Sequence, residues 1–217
     1  MESTQFWHLD FSLLQVGDYD LSLIETLAAS FCLLAFYLLR QNKQLSWPVA
    51  ILSNFAYFLF FYQINLYGLM GLQVFLVVYN LIVWLRGRGT VAPEIKRLSG
   101  MGLILSAIAI FMPTINLTIL LAQVHELAPR WFPQPASFNF TDPLLAVSSI
   151  VATVLLAKHY LEAWLFWLVI YGLCVVIFAW AGVYLTAGVY MVLLGWAMRE
   201  YLEWRVMLGA KKGKNSN

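Results

Sequence analysis

Charge is scarce in this chain. Only 11% of its 217 residues are Asp, Glu, Lys or Arg, and thirteen basic against eleven acidic groups leave a net charge of +2. A soluble domain carries about 25% charged residues. A nucleic-acid partner demands a basic face, which this balance does not supply. Cysteine is scarcer still. Cys32 and Cys174 both sit in apolar runs, which excludes a disulfide framework and a CxxC redox pair. There is no GxxxxGK motif for a phosphate loop, no GxSxG for a serine hydrolase and no HExxH for a zinc protease. No lysine stands in the middle of the last apolar run, so a retinal Schiff base has no anchor. His8, His125 and His159 read as loop residues that do not cluster, which argues against a metal site. The chain is expected not to be an enzyme and to need no cofactor.

What abounds is apolar surface: 62% of the chain is hydrophobic. So short a chain has too little interior to hide that much from water, so its solvent is lipid. A helical span needs about 20 mostly apolar residues. Seven stretches qualify or nearly qualify: 21–39, 47–62, 67–84, 101–122, 143–157, 163–180 and 183–204. The second and fifth are short, which suggests shielding by neighbouring helices. The segment before the first run carries Asp10, Asp18 and Asp20 and no basic cluster, unlike a signal peptide. With seven spans, twelve of the thirteen Lys and Arg residues fall on one side and only Arg130 on the other. Basic loops stay cytoplasmic, so the N-terminus is expected outside and the C-terminus inside, in a multi-pass membrane protein.

The chain also matches itself at an offset of 117 residues. Trp47 falls on Trp164, Tyr67 on Tyr184, Gly71 on Gly188, Arg88 on Arg205, and Glu25 on Asp142. The expected fold is all-α: seven transmembrane helices as two parallel three-helix repeats joined by a linking helix, in a 3+1+3 order. The corresponding units are an outer N-terminal segment (1–20), repeat 1 (21–89), a linking helix and outer loop (90–141), repeat 2 (142–205) and a basic cytoplasmic tail (206–217). Parallel repeats of this kind occur in transporters, with the substrate held near mid-membrane between them.

Polar and aromatic groups inside the spans are the candidates for a binding site. Trp164, Trp167 and Tyr171 share one face of the sixth span by their i, i+3, i+7 spacing. Gln73 and Asn80 share a face of the third span, Asn54 lies one turn from Tyr57 on the second, and Tyr190 lies on the seventh. Together they can line a cavity for a flat cationic heterocycle, since each aromatic face attracts a cation by about 0.5–2 kcal/mol. The plainer alternatives are interfacial belts for Trp84, Trp180, Tyr201 and Trp204, and helix-to-helix glue for the buried amides. Glu25 and Asp142 are read as facing water at the outer rim. Pro113, with Thr114, Asn116 and Thr118, reads as a kink re-satisfied by side chains.

The run from Tyr67 through Gln73 to Trp84 resembles the third core helix of the PnuC family of vitamin transporters. Lys158, Glu162, Trp164 and Trp167 are similar to a second signature of that family, and the likeness extends over about 21–205. The resemblance implies a SWEET-like fold, a homotrimer, and facilitated diffusion of a vitamin that a cytoplasmic kinase then traps by phosphorylation. Tyr171 stands where nicotinamide riboside carriers of the family usually have Asn or Asp, and Asn80 and Leu81 stand where they have Gly-Trp. Those departures fit the thiamine-carrying, PnuT-like branch. Thiamine is therefore the first expectation and nicotinamide riboside the alternative. Another vitamin such as riboflavin, or a non-transporting receptor or scaffold, stands behind both.

Overall fold

The computed structural model describes residues 12–16, 19–87 and 94–214. Among the described residues seven helices are present: α1 (Leu23–Arg40), α2 (Ser46–Gln63), α3 (Tyr67–Arg86), α4 (Gly100–Leu127), α5 (Thr141–Ala157), α6 (Glu162–Trp180) and α7 (Tyr184–Lys214). Four of them, α1, α3, α4 and α6, are long and apolar enough to cross a membrane. One departure from an all-helical chain is an antiparallel hairpin of β1 (Ser12–Val16) and β2 (Tyr19–Ser22), which leads directly into α1. Periodicity missed it because strands this short carry only one or two alternations. Asp10, Asp18, His8 and Arg88 lie outside the described residues.

The remaining differences are at helix ends. α4 runs through His125 to Leu127, so this histidine is helical and not in a loop. α7 continues to Lys214, well past the expected start of a tail at 206. Lys and Arg are good helix formers, so leaving the apolar region does not end the helix. α4 passes through Pro113 unbroken, with Thr114 Oγ1 donating to the Ile110 carbonyl at 2.7 Å and Asn116 Nδ2 to that of Met112 at 2.8 Å.

The turns follow one recipe. α1, α2, α5 and α6 each end in a left-handed residue: Asn42 (φ 57°), Asn65 (φ 58°), His159 (φ 62°) and Gly182 (φ 77°). The next amide donates back five residues, from Lys43 to Leu38 (3.1 Å), Leu66 to Phe61 (2.8 Å), Tyr160 to Leu155 (3.0 Å) and Val183 to Phe178 (2.8 Å). That bond satisfies an orphan carbonyl and reverses the chain tightly. Asn42 and His159, and Asn65 and Gly182, stand 117 positions apart.

Packing joins six helices in a closed ring. α1 packs on α2, α2 on α3, α3 on α5, α5 on α6, α6 on α7, and α7 returns to α1. α4 lies outside, against α5. The ends of α1 and α5 and the starts of α2 and α6 meet at one end of the ring, which carries Arg40, Lys43 and Lys158 and is termed the basic end. α5 is the best shielded helix, with 10 of its 17 residues buried. At the basic end the segment before α4 is pinned to the α5–α6 turn: Lys96 donates to the His159 carbonyl (2.8 Å), Leu98 N–H donates to Glu162 Oε2 (2.8 Å), and Arg97 pairs with Glu162 at 3.5 Å. Glu162 of the second signature is thus an anchor for the linking segment.

Candidate functional site

The interior of the ring holds a column of stacked aromatic rings. Trp167 and Tyr171, one turn apart on α6, stack at 4.9 Å between centroids. Tyr171 meets Tyr190 of α7 at 6.0 Å, and Tyr190 lies parallel to Phe178 at 5.4 Å with 5° between the planes. Phe178 reaches across to Phe61 of α2 at 6.1 Å, and Phe61 stacks on Tyr57 at 5.4 Å. The column therefore passes from α6 and α7 to α2, linking the two sides of the ring. Phe61 and Phe178 have essentially no exposed surface (0% and 1%).

Polar groups without partners flank these rings. Tyr57 Oη and Asn54 Nδ2, one turn apart on α2, are buried and make no hydrogen bond within the protein. Trp164 Nε1 on α6 is in the same state. A buried polar group left unpaired costs about 1–3 kcal/mol, so such groups are retained where something else will bond to them. Asn54 Nδ2 and Tyr57 Oη are groups that can hydrogen-bond a carbonyl or hydroxyl oxygen.

The sequence-predicted residues divide accordingly. Trp167, Tyr171 and Tyr190 come together in the column, and Asn54 lies one turn from its end at Tyr57. Trp164 instead meets Trp204 of α7 edge to face at 5.8 Å. Trp204, expected in an interfacial belt, is thereby half-buried, and His159 also lies 6.2 Å from it. Gln73 is buried on α3, while Asn80 is half-buried on a stretch of α3 beyond its last fully buried residue. α3 packs on α2 and α5, whereas α6 packs on α5 and α7.

Glu25 and Asp142 do not face water at the rim. They are 2% and 1% exposed. Asp142 of α5 accepts the backbone N–H groups of Gly68 (2.6 Å) and Leu69 (2.8 Å) at the start of α3. Glu25 of α1 accepts the N–H (3.0 Å) and Oγ1–H (2.8 Å) of Thr186 at the start of α7. The first turn of a helix has free N–H groups and a positive dipole end, so a carboxylate is stabilised there even when buried. Asp142 of α5 thus caps α3, and Glu25 of α1 caps α7. Gly68 makes the approach possible, since a Cβ there would lie 2.9 Å from Asp142 Oδ2.

Phe61 and Phe178 were not among the predicted site residues. A signal did exist, because Phe61 and Phe178 match at the 117-residue offset, but apolar matches are frequent by chance in a chain this hydrophobic.

Comparison with known proteins follows this geometry. A profile of the family described as nicotinamide mononucleotide transporter matches residues 22–206. The chain is 31% identical over 208 residues to the nicotinamide riboside transporter PnuC of Escherichia coli (strain K12), covering 87% of both chains, and equally to that of Shigella flexneri. Among solved structures it shares its fold with the vitamin B3 transporter PnuC, at a TM-score of 0.59 and 20% identity over 86% of this chain and 82% of that one. These matches and the apolar helices agree: the chain belongs to the PnuC family of membrane transporters, and it is not an enzyme.

Proposed function

We propose that this protein carries nicotinamide riboside across the membrane by facilitated diffusion. The observation that carries the reading is the aromatic column ending beside the unpartnered donors of Asn54 and Tyr57. Nicotinamide riboside offers a flat pyridinium cation for the rings and a carboxamide and ribose hydroxyls for the donors. The two curated relatives named above favour it over thiamine, the first expectation. Uniport is supported by the placing of the buried acids: Glu25, Asp142 and Glu162 each accept backbone N–H groups near helix ends.

The finer architecture belongs to the same proposal. Helices α1–α3 and α5–α7 are two parallel repeats, within the bounds 21–89 and 142–205, joined by α4. Support comes from the turns that recur at the 117-residue offset and from the reciprocal carboxylate caps. The basic end faces the cytoplasm on the strength of its Lys and Arg excess. A homotrimer and trapping by a cytoplasmic kinase are carried over from the family resemblance.

Thermal unfolding of the purified protein with nicotinamide riboside or thiamine tests the solute, because a ligand of the folded state stabilises it by mass action. The expected result is a larger shift with nicotinamide riboside and its uptake into liposomes independent of sodium or proton gradients. A shift with thiamine alone would restore the reading based on Tyr171. Accumulation above the outer concentration would overturn uniport.

A further inference from the structure

A groove of about 400 Å³ lies between α1 and α7 at the basic end of the ring. Leu33, Tyr37, Arg40 and Gln41 line it from α1 and its C-cap, and Val192 and Trp196 from α7. The groove is turned away from the aromatic column. Tyr190 of α7 meets Tyr171 in that column. At about 100° per helical residue, Val192 points roughly 160° away from Tyr190, and Trp196 roughly 120° away. On α1, the buried residues Ala28, Ala35 and Leu38 mark the inner face, whereas Leu33, Tyr37 and Arg40 are exposed. The groove therefore opens on the outer surface of the ring, where a membrane protein meets lipid.

Its two ends differ in chemistry. Leu33 and Val192 make one end apolar, and Arg40 and Gln41 make the other polar. Leu33 and Arg40 stand about 10 Å apart along α1, at about 1.5 Å per residue. The Arg40 guanidinium lies 5.7 Å from the centre of the Trp196 ring, which Phe36 meets edge to face at 5.9 Å. An indole face holds a guanidinium in place while leaving N–H groups at its edge to donate. The ion pairs among the described residues, Arg97–Glu162 and Arg199–Glu203, do not include Arg40. Glu200, one turn beyond Trp196, acts on Arg40 electrostatically. It offsets one of the two cations at this end, Arg40 and Lys43, so one positive charge remains. An apolar slot with a guanidinium at its mouth matches an anion carried on a hydrocarbon chain. Arg binds phosphate through paired N–H donors, and basic pockets between membrane helices take anionic lipid headgroups. Tyr and Trp settle at headgroup depth, as Tyr37 and Trp196 do in this placement.

We propose that this groove binds an anionic glycerophospholipid, with the phosphate on Arg40 and Gln41 and one acyl chain lying between Leu33 and Val192. An acyl chain gains no hydrophobic free energy by leaving other lipid chains. The phosphate contact therefore selects the lipid, and the shape of the slot holds it. The bound lipid bridges α1 and α7 at the basic end. The proposal rests on the membrane placement of the chain and not on which solute is carried.

Native mass spectrometry of the purified protein in detergent tests it, by the fraction of protein that carries lipid as phosphatidylglycerol or phosphatidylcholine is added. The parent should bind phosphatidylglycerol about fivefold more tightly or better, the worth of one Arg beside an anionic headgroup. Arg40→Gln should bring the two lipids to similar affinity. Val192→Trp fills the slot and keeps the cation, and it should weaken binding of phosphatidylglycerol by a similar factor. Glu200→Gln removes the offsetting charge and should strengthen it. Glycerol 3-phosphate, a headgroup without chains, should not displace phosphatidylglycerol. Equal binding of both lipids by the parent, a preference that survives Arg40→Gln, or full binding by Val192→Trp would each overturn the proposal. Displacement by glycerol 3-phosphate would mark a site for free phosphate and overturn it too. The variants alter different parts of the groove, so a folding defect in one, seen as a lowered unfolding temperature without lipid, leaves the others decisive. No transported solute is present, so failure here leaves the transport reading untouched.

Discussion

Phe61 and Phe178 stand 117 positions apart in the chain and stack on each other in the centre of the ring, 6.1 Å between centroids with 26° between their planes. Each also closes a tight turn, since its carbonyl accepts the N–H of Leu66 or Val183. The same residue type in the same local setting meets its counterpart. Truncating either ring empties volume that nothing nearby can fill. Phe61→Ala and Phe178→Ala should each cost about 3–5 kcal/mol in unfolding experiments in detergent. The double variant should lose less than the sum, because both remove one shared contact.

Tyr57→Phe separates binding from stability. The hydroxyl is buried with no partner, so its removal should leave the unfolding temperature of the ligand-free protein unchanged or raised. If it bonds the solute, affinity should fall by about 1 kcal/mol, roughly fivefold. A drop in stability with unchanged affinity would remove Tyr57 from the site.

Trp167→Ala takes one ring from the column and should weaken binding by about 1–2 kcal/mol, near tenfold. Trp180 is 80% exposed and serves as the control, because Trp204 packs on Trp164. Asn54→Ala should cost more affinity than Asn80→Ala. Isothermal titration calorimetry with nicotinamide riboside ranks all four.

Asp142→Asn should destabilise the protein in unfolding experiments in detergent. Both Asp142 oxygens accept N–H groups, so an amide must turn its own NH2 toward one donor. About 1.5–3 kcal/mol is expected for Asp142→Asn, the range for hydrogen bonds to charged groups. Gly68→Ala should destabilise in the same assay, since its Cβ meets the Asp142 carboxylate.

Membrane orientation is open to labelling. Trp131→Cys, beside Arg130 and exposed, should react with an impermeant maleimide added to intact cells. Arg205→Cys should react only after the membrane is opened. The opposite pattern would reverse the assignment of the basic end.

Much of this was already legible in the residues. Apolar run lengths located all seven helices, because in lipid every backbone group must be satisfied within its own helix and no other reading of such runs survives. The i, i+3, i+7 spacing of Trp164, Trp167 and Tyr171 placed them on one face, since that follows from helix geometry alone. Tertiary structure decided which faces meet. It joined Tyr171 to Tyr190 and Phe178 to Phe61, sent Trp164 to Trp204, and set Gln73 and Asn80 on a helix that packs on α2 and α5. It also turned Glu25 and Asp142 from expected rim residues into buried caps. An acid at the end of an apolar run looks solvated, and its true partners are N–H groups 161 and about 73 residues away, supplied only when the ring closes. Helix periodicity is local and lies in the sequence, whereas a cap across a seam exists only once two distant helix ends have been brought within 3 Å of each other.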